Sequence, residues 1–492
     1  MTARAIVRVA SLKNVDRFTE HLVSLGVTIP CDREIVTGEE SPLRHHVQCG
    51  RLTLQNRIAV QPMEGWDGTA DGNPSEHTIR RWRRFGESGA GLIWGGEAVA
   101  VSHAGRANPN QLVIADQTMQ GLSQLRENLL QEHRELSAST NDPVVGLQLT
   151  HSGRYCRPNV QHRNEPVIVY HHPILDRRLQ LPADFPTLDD SQIEKIIEDF
   201  HRAAAAADEL GFDFVDIKHC HGYLAHEFLS AHTRPGKYGG SFENRTRFIR
   251  EIVEGVRAIA PRLEIGVRFS AFDTVPFRPE TSGSSNGQSG LGVPENYDDL
   301  VPYKWGFGVD ADNPVEMDLS EPFRFLSLLQ ELDIRLVNVT AGSPYYNPHI
   351  QRPALYPPSD GYFPPEDPLV GVARQMDATR RLKQHFPKMI FVGTGYSYLQ
   401  EFLPLVAQAA IRDGWTDLVG LGRMVLSYPE ILWHASAGKP LERKRICRTF
   451  SDCTTAPRKG LPSGCYPLDD YYRDSALAGQ LKVLKGVQTP QA

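Results

Sequence analysis

DFVDIKHCHGYLAHEFLS, residues 213–230, is the stretch whose reading decides the fold. It opens on a short apolar run, Phe214, Val215 and Ile217, with the pattern of one buried strand. Lys218, His219 and His221 follow at once, then Gly222, Tyr223 and a helix-like apolar spacing through Leu224, Phe228 and Leu229. Polar groups gathered where a buried parallel strand runs out into a loop are the layout of a barrel active site. The remaining chain reads as scaffolding for that strand end.

On either side, short β-branched runs alternate with helical patterns. Candidate strands fall at 57–61, 91–95, 144–149, 213–217, 264–269, 335–340, 389–393 and 417–421. Helical stretches at 75–88, 117–136, 191–209, 243–259, 323–332, 370–385 and 398–412 lie between them. Such alternation implies a parallel sheet with right-handed crossovers. Eight repeats predict an α/β fold, a closed (β/α)8 TIM barrel, rather than an open doubly wound sheet. No GxGxxG follows an early strand, which weakens the dinucleotide-fold alternative.

Composition narrows the function classes. The 53 basic and 59 acidic residues leave a net charge of −6, so there is no electrostatic case for nucleic acid. Seven cysteines in 492 residues are too sparse for a disulfide framework and suit a reducing compartment. The first residues, MTARAIVRVASLKNVDRF, lack a continuous apolar segment of signal-peptide length. The most apolar stretch, YLQEFLPLVAQAAI at 398–411, carries Gln400, Glu401 and Gln408 and reads as a helix packed on one face. A cytoplasmic protein with no membrane span is expected.

Residues 1–45 read as an N-terminal extension, patchily amphipathic around Phe18, Leu22, Val23 and Leu25, packed on the main body or on a partner subunit. Residues 46–442 form the barrel. Within it, 273–322 interrupts the alternation after the fifth strand, with TSGSSNGQSGLG and then Tyr303, Trp305 and Phe307. Its length and aromatic content predict an active-site lid. The tail 443–492 carries three of the cysteines.

The ordered motifs of the barrel resemble the Old Yellow Enzyme family of FMN-dependent oxidoreductases. The matching pieces are NRIAVQPM (56–63), GLIWGGEAVAV (91–101), VGLQLTHSGR (145–154), HGYLAHEFLS (221–230), TRPGKYGGSFENRTRF (233–248), GVRFSAFD (266–273) and LVGLGRMVLSYPE (418–430). The resemblance implies an FMN-bearing barrel reduced by NAD(P)H. Gln61, Pro62 and Met63 at the first strand end suit backbone contacts to the flavin ring. By resemblance Ala98 and Gln148 meet its pyrimidine edge, and Arg268 neutralises electron density beside N1 and C2. Phosphate is expected near Gly342, Gly393-Thr394-Gly395 and Gly422-Arg423, where backbone N–H groups and one guanidinium converge.

At the reacting centre the sequence departs from the family. Relatives hold a substrate oxygen with two side chains three residues apart, His with His or His with Asn. Here those positions are Lys218 and His221. Tyr223 matches the tyrosine that protonates substrate carbon in ene reductases, with a packing role as its alternative. Glu64 stands where relatives often carry Cys or Thr beside the flavin, and Trp66 where some carry Tyr. With Trp94, Tyr345, Tyr346 and Trp305, these suggest an aromatic pocket with one acid, suited to a methylated amine; a core tryptophan and a solvated glutamate are the alternative reading. A zinc reading of His219 and His221, with His151, fails because Arg268 and Gly422-Arg423 end strands where further ligands belong.

Cys447, Cys453 and Cys465 resemble the cluster segment of the branch holding dienoyl-CoA reductases and trimethylamine dehydrogenases. That branch binds [4Fe–4S] through four cysteines, and Phe450 occupies one of the four places here, so a lost cluster is favoured over a retained one. The branch's further nucleotide-binding domain is expected to be absent. The leading expectation is NAD(P)H-driven reduction of an activated C=C bond in a small molecule, with Lys218 and His221 polarising and Tyr223 donating a proton. Alternatives are an amine dehydrogenase, demethylase or desaturase passing electrons to a partner, and a barrel that only binds ligand. Homo-oligomer formation is left open.

Overall fold

The computed structural model describes residues 6–137, 141–280, 290–358 and 361–486. Eight strands close into a barrel: β1 Ile58–Val60, β2 Leu92–Ile93, β3 Val144–Thr150, β4 Phe214–Ile217, β5 Glu264–Ser270, β6 Leu336–Thr340, β7 Ile390–Gly393 and β8 Leu418–Leu421. Each pairs in parallel with its neighbours in chain order, and β8 returns to β1 with Val419 opposite Ile58. The strands are buried on both faces, which is why their sequences read as unbroken apolar runs. A short extra strand, Ala98–Ala100, follows β2 and pairs with β3, placing Ala98 opposite Gln148.

Two of the crossover helices begin on reciprocal side-chain caps. Ser75 and Thr78 form a reciprocal box at the start of Glu76–Gly86, and Asp189 with Gln192 does the same for Asp190–Glu209. In the latter, Ile193, Ile196, Ile197, Phe200, Ala203, Ala204 and Ala207 form the stripe that faces the sheet. A hairpin of Val47–Cys49 with Leu52–Leu54 plugs the N-terminal end of the barrel over Trp94, Phe214, Leu336 and Leu418. With that end closed by apolar packing, the polar strand ends gather at the opposite mouth.

The N-terminal extension belongs to the same body. Helix Val15–Leu25 is capped by the Asn14 side chain and ended by Gly26 at φ 70. Fully buried Phe18 stacks on Phe402 with ring centres 4.4 Å apart. Gln408 accepts from the Val36 N–H at 2.9 Å and donates to the Glu34 carbonyl at 2.7 Å.

The described residues of the insertion pack on the barrel. They include a hairpin, Phe277–Pro279 with Gly292–Pro294, fastened beside helix Pro173–Leu179 by Arg178–Glu295 at 2.8 Å. Tyr303 packs on Ile174 and Val275, and Phe307 is buried against Phe325. Those aromatic residues are spent on packing, and no described residue of 273–322 lines the cleft at the barrel mouth. Most of TSGSSNGQSGLG lies outside the described residues.

Two outcomes test this packing. Phe18→Ala is expected to cost about 3–5 kcal/mol, as for a buried Phe, and a thermal midpoint equal to that of the parent would show that the extension is not part of the folding unit. Burial also depresses the buried histidines: His151 and His219 to about 4, His226 and His349 to about 3. Folded-state values below the unfolded one near 6.5 mean that the unfolded chain binds more protons in acid. Stability should therefore hold above that value and fall through pH 6 to 4, by about 1.4 kcal/mol per pH unit for each such histidine. Urea midpoints measured from pH 8 to 4.5 read the trend, and a flat profile would contradict it.

Candidate active site

The end of β4 is bent toward the mouth by its backbone. The Lys218 N–H reaches the Leu149 carbonyl and the His219 N–H the Arg268 carbonyl, continuing the ladder one step. His221 and Gly222 then take positive φ values of 66 and 77. A Cβ on Gly222 would stand 2.8 Å from the Tyr346 ring, so this turn requires glycine. Ser270 Oγ accepts from the His221 N–H at 3.1 Å, Ser343 Oγ donates to the His221 carbonyl at 2.8 Å, and His226 Nδ1 accepts from the Gly222 N–H at 2.8 Å. The turn brings Lys218, His221 and Tyr223 into the cleft. His219 points away, its Nδ1 donating to the Ile217 carbonyl at 2.7 Å and its ring against Phe325. The two histidines are therefore not a chelating pair, and no metal-holding cluster occurs among the described residues.

The cleft has about 1200 Å³ of empty space, including its open mouth. Gln61, Pro62, Met63, Glu64, Trp66, Gln148 and Arg268 line it together with the β4 residues. Thr394, Gly395, Gly422 and Arg423 line it from just after β7 and β8, and Tyr345 lies on one wall. Four expected residues are elsewhere. Ala98 is buried with its carbonyl accepting from Gln111 Nε2 at 3.0 Å, and the Gly342 carbonyl accepts from Ser270 Oγ at 3.0 Å. The Gly393 carbonyl accepts from Gln61 Nε2 at 3.3 Å, and Trp305 packs near His172. Trp94 also lies below the cleft, in the barrel interior.

Asp216, in the middle of the apolar β4, escaped the sequence reading. Its carboxylate accepts from Trp94 Nε1 at 2.7 Å, Gln148 Nε2 at 2.6 Å and the Arg268 backbone N–H at 2.7 Å. Burial raises its pKa above the usual carboxylate value, against those donors. With its amide N–H spent on Asp216, Gln148 presents the carbonyl oxygen to the cleft. Arg268 is buried, has no carboxylate at ion-pair distance, and its Nε lacks a partner among the described residues. A cleft floored by Pro62 and Met63, with the Gln148 amide and one unpaired guanidinium at its edge, fits an isoalloxazine ring.

Glu64 is not a free carboxylate. One oxygen is paired with Lys218 Nζ; the other accepts from Tyr223 Oη at 2.8 Å and Trp66 Nε1 at 3.1 Å. Tyr223 Oη also lies 2.8 Å from Tyr345 Oη, and Lys218 Nζ sits 3.8 Å from the Tyr223 ring centre. The acid is neutralised by the lysine, which removes the basis for reading it as a receptor for a cationic amine. Burial and the neighbouring Glu64 push the Tyr223 hydroxyl well above its ordinary pKa, so it keeps its proton. Burial, then Arg268 and Lys218, hold His221 far below its ordinary value, so its imidazole is neutral near pH 7. The loop bearing Glu64 is fixed by Arg81, which pairs with Asp67 and Glu97, while Glu97 accepts from the Gly65 N–H at 3.1 Å.

The tail supplies a wall that sequence reasoning missed: Thr449, Cys453, Thr454 and Arg458, with Arg352 from the segment after β6. Arg423 donates to Thr454 Oγ1 at 2.7 Å and to Cys453 Sγ at 3.3 Å. Cys447, Cys453 and Cys465 line one small cavity beside Arg352 and Arg423. Phe450 lines the same cavity and stacks on Tyr356. Cysteine spacing drew the eye to sulfur, whereas the cleft is met mostly by the hydroxyls and guanidinium between the cysteines.

Comparisons with known proteins agree with this geometry. An NADPH dehydrogenase of Bacillus velezensis is 33% identical over 230 residues, covering 45% of this chain and 61% of that protein. A putative 12-oxophytodienoate reductase of Oryza sativa subsp. japonica is 30% identical over 274 residues, covering 51% of this chain and 66% of that protein. The chain thus spans about three-fifths to two-thirds of these relatives' length. The structure of the Old Yellow Enzyme homologue from Zymomonas mobilis shares the fold, with TM-score 0.54 at 20% identity over 83% of this chain and 96% of that one. The profile of the NADH:flavin oxidoreductase / NADH oxidase family matches residues 43–325, and the chain belongs to that family.

Proposed function

We propose that the protein is an FMN- and NAD(P)H-dependent reductase of small molecules whose C=C bond is activated by a neighbouring carbonyl. The observation that carries this reading is Tyr223, held protonated, beside the donors Lys218 and His221 and facing the slot where Arg268 stands unpaired. Gln61, Pro62, Met63, Gln148 and Arg268 are the residues we assign to the ring of FMN, and Thr394, Gly395, Gly422 and Arg423 to its phosphate. Bound FMN supplies hydride transfer, from nicotinamide to the ring and from the ring to carbon. His221 offers a neutral N–H to the substrate oxygen, and Lys218 adds positive charge there. Tyr223 delivers a proton to the carbon opposite the hydride, and Tyr345 is placed to restore that proton from the cleft side. An amine substrate is disfavoured because Glu64 already has its cation. Residues 6–45 serve as a brace, and Thr449 to Arg458 of the tail as a wall of the cleft beside Arg423. The free state of all seven cysteines suits a cytoplasmic setting.

Purified protein should be yellow and bleach on anaerobic mixing with NADPH, then recover its colour on addition of 2-cyclohexenone. Colourless protein that takes up no FMN would falsify the proposal. Tyr223→Phe should lower enone turnover by about 10²–10³-fold while NADPH still bleaches the flavin at the parent rate. Arg268→Met should weaken FMN binding by about 10–100-fold, the value of a hydrogen bond to a charged group. FMN fluorescence titration of the apoprotein measures it, and parent-like affinity would remove Arg268 from the site.

A further inference from the structure

We propose that Lys218 is a nucleophile, forming a Schiff base with unsaturated aldehydes and unhindered ketones before they are reduced. The inference rests on the reductase reading of the cleft and deepens it, naming a substrate class and a covalent role for the departure at this position.

An ammonium that only anchors an oxygen gains nothing from a carboxylate that competes for its protons. Lys218 is 4% exposed, lines the cleft and is paired with Glu64 at direct contact. That pair is what imine chemistry needs: an amine with an acid–base partner on the same nitrogen. Glu64 also accepts from Tyr223 and Trp66, which fix its orientation. No other lysine lines the cleft among the described residues.

The steps balance with the groups present and with the reductant of the proposed function. Lys218 passes a proton to Glu64, and the neutral Nζ bonds to the carbonyl carbon, giving a carbinolamine. Glu64 returns the proton to the leaving hydroxyl, water departs and a conjugated iminium remains. Its nitrogen keeps its positive charge over the Tyr223 ring, whose centre lies 3.8 Å from Nζ. The iminium draws electron density from the β-carbon more strongly than the parent carbonyl, which would make that carbon the better acceptor of the hydride that bound FMN would supply. Tyr223 protonates the α-carbon of the resulting enamine, water hydrolyses the saturated iminium, and Lys218 is regenerated. Esters, carboxylates and nitroalkenes form no such iminium and depend on hydrogen bonding alone.

The test is reductive trapping on the oxidised holoenzyme. Cinnamaldehyde and cyanoborohydride are added without NADPH, and the protein is analysed by intact mass and peptide mapping. The expected result is one addition, the aldehyde's mass less one oxygen, on the peptide containing Lys218. Glu64→Gln should slow trapping by at least about tenfold, and Lys218→Arg should abolish that adduct. In turnover, Lys218→Arg should lower kcat/KM for the enal relative to a nitroalkene by about 100-fold, near 2.7 kcal/mol of selective loss. An unmodified Lys218 peptide in active parent enzyme, with label absent or spread over surface lysines, overturns the proposal and leaves the reductase reading standing. Trapping on Lys218 in a protein that NADPH never bleaches does the reverse.

Discussion

The structure depends on one buried carboxylate. Asp216 sits at the centre of β4 with no exposure to solvent, and its three donors come from the ends of β2 and β3 and from the backbone of β5. A charge taken out of water is tolerated only when hydrogen bonds replace its hydration. Here those bonds tie four consecutive strands at one level of the barrel. They also turn the Gln148 amide and hold the β5 backbone where Arg268 begins its reach into the cleft. A requirement of the fold thus sets the direction of two side chains assigned to the cofactor.

A second buried set acts across the mouth. Arg81 draws Asp67 and Glu97 together, and a Cβ at Gly65 would lie 2.2 Å from the Arg81 guanidinium, so only glycine lets the loop pass. That loop carries Glu64 to Lys218 on the far wall. Losing either partner would strand the other charge at a cost of about 3–5 kcal/mol, while the intact pair adds little net stability. The pair is therefore better understood as positioning than as glue: it sets Tyr223, Trp66 and Lys218 relative to one carboxylate.

The barrel was legible because periodicity is local. Unbroken apolar runs spaced by amphipathic helices define eight parallel strands, and the polar cluster after Ile217 marked the working end. Pairings between distant residues were not legible. Glu64 and Lys218 are 154 positions apart, and nothing near either announces the other, so the acid was read as a cation receptor. Asp216 carried one usable signal, a lone acid in an apolar strand, which must have buried donors. Trp305 and its neighbours misled because aromatic residues in a long insertion look alike whether they cover a site or pack beneath a loop.

Charge across the cleft explains how the pieces act together. Lys218, Arg268, Arg352, Arg423 and Arg458 line it against Glu64, the single acid among the described lining residues, and neither Arg352 nor Arg423 has a carboxylate at ion-pair distance among the described residues. The excess positive charge suits a phosphate at one end and an electron-rich ring along the floor. Burial first, then the same field, holds His221 neutral, since a protonated imidazole there would be a desolvated cation beside Arg268 and Lys218. Burial, with Glu64 and Tyr345 beside it, keeps Tyr223 protonated only a few ångströms away. In the proposed reaction His221 is then the neutral donor and Tyr223 the proton source, with Glu64 hydrogen-bonded to the second.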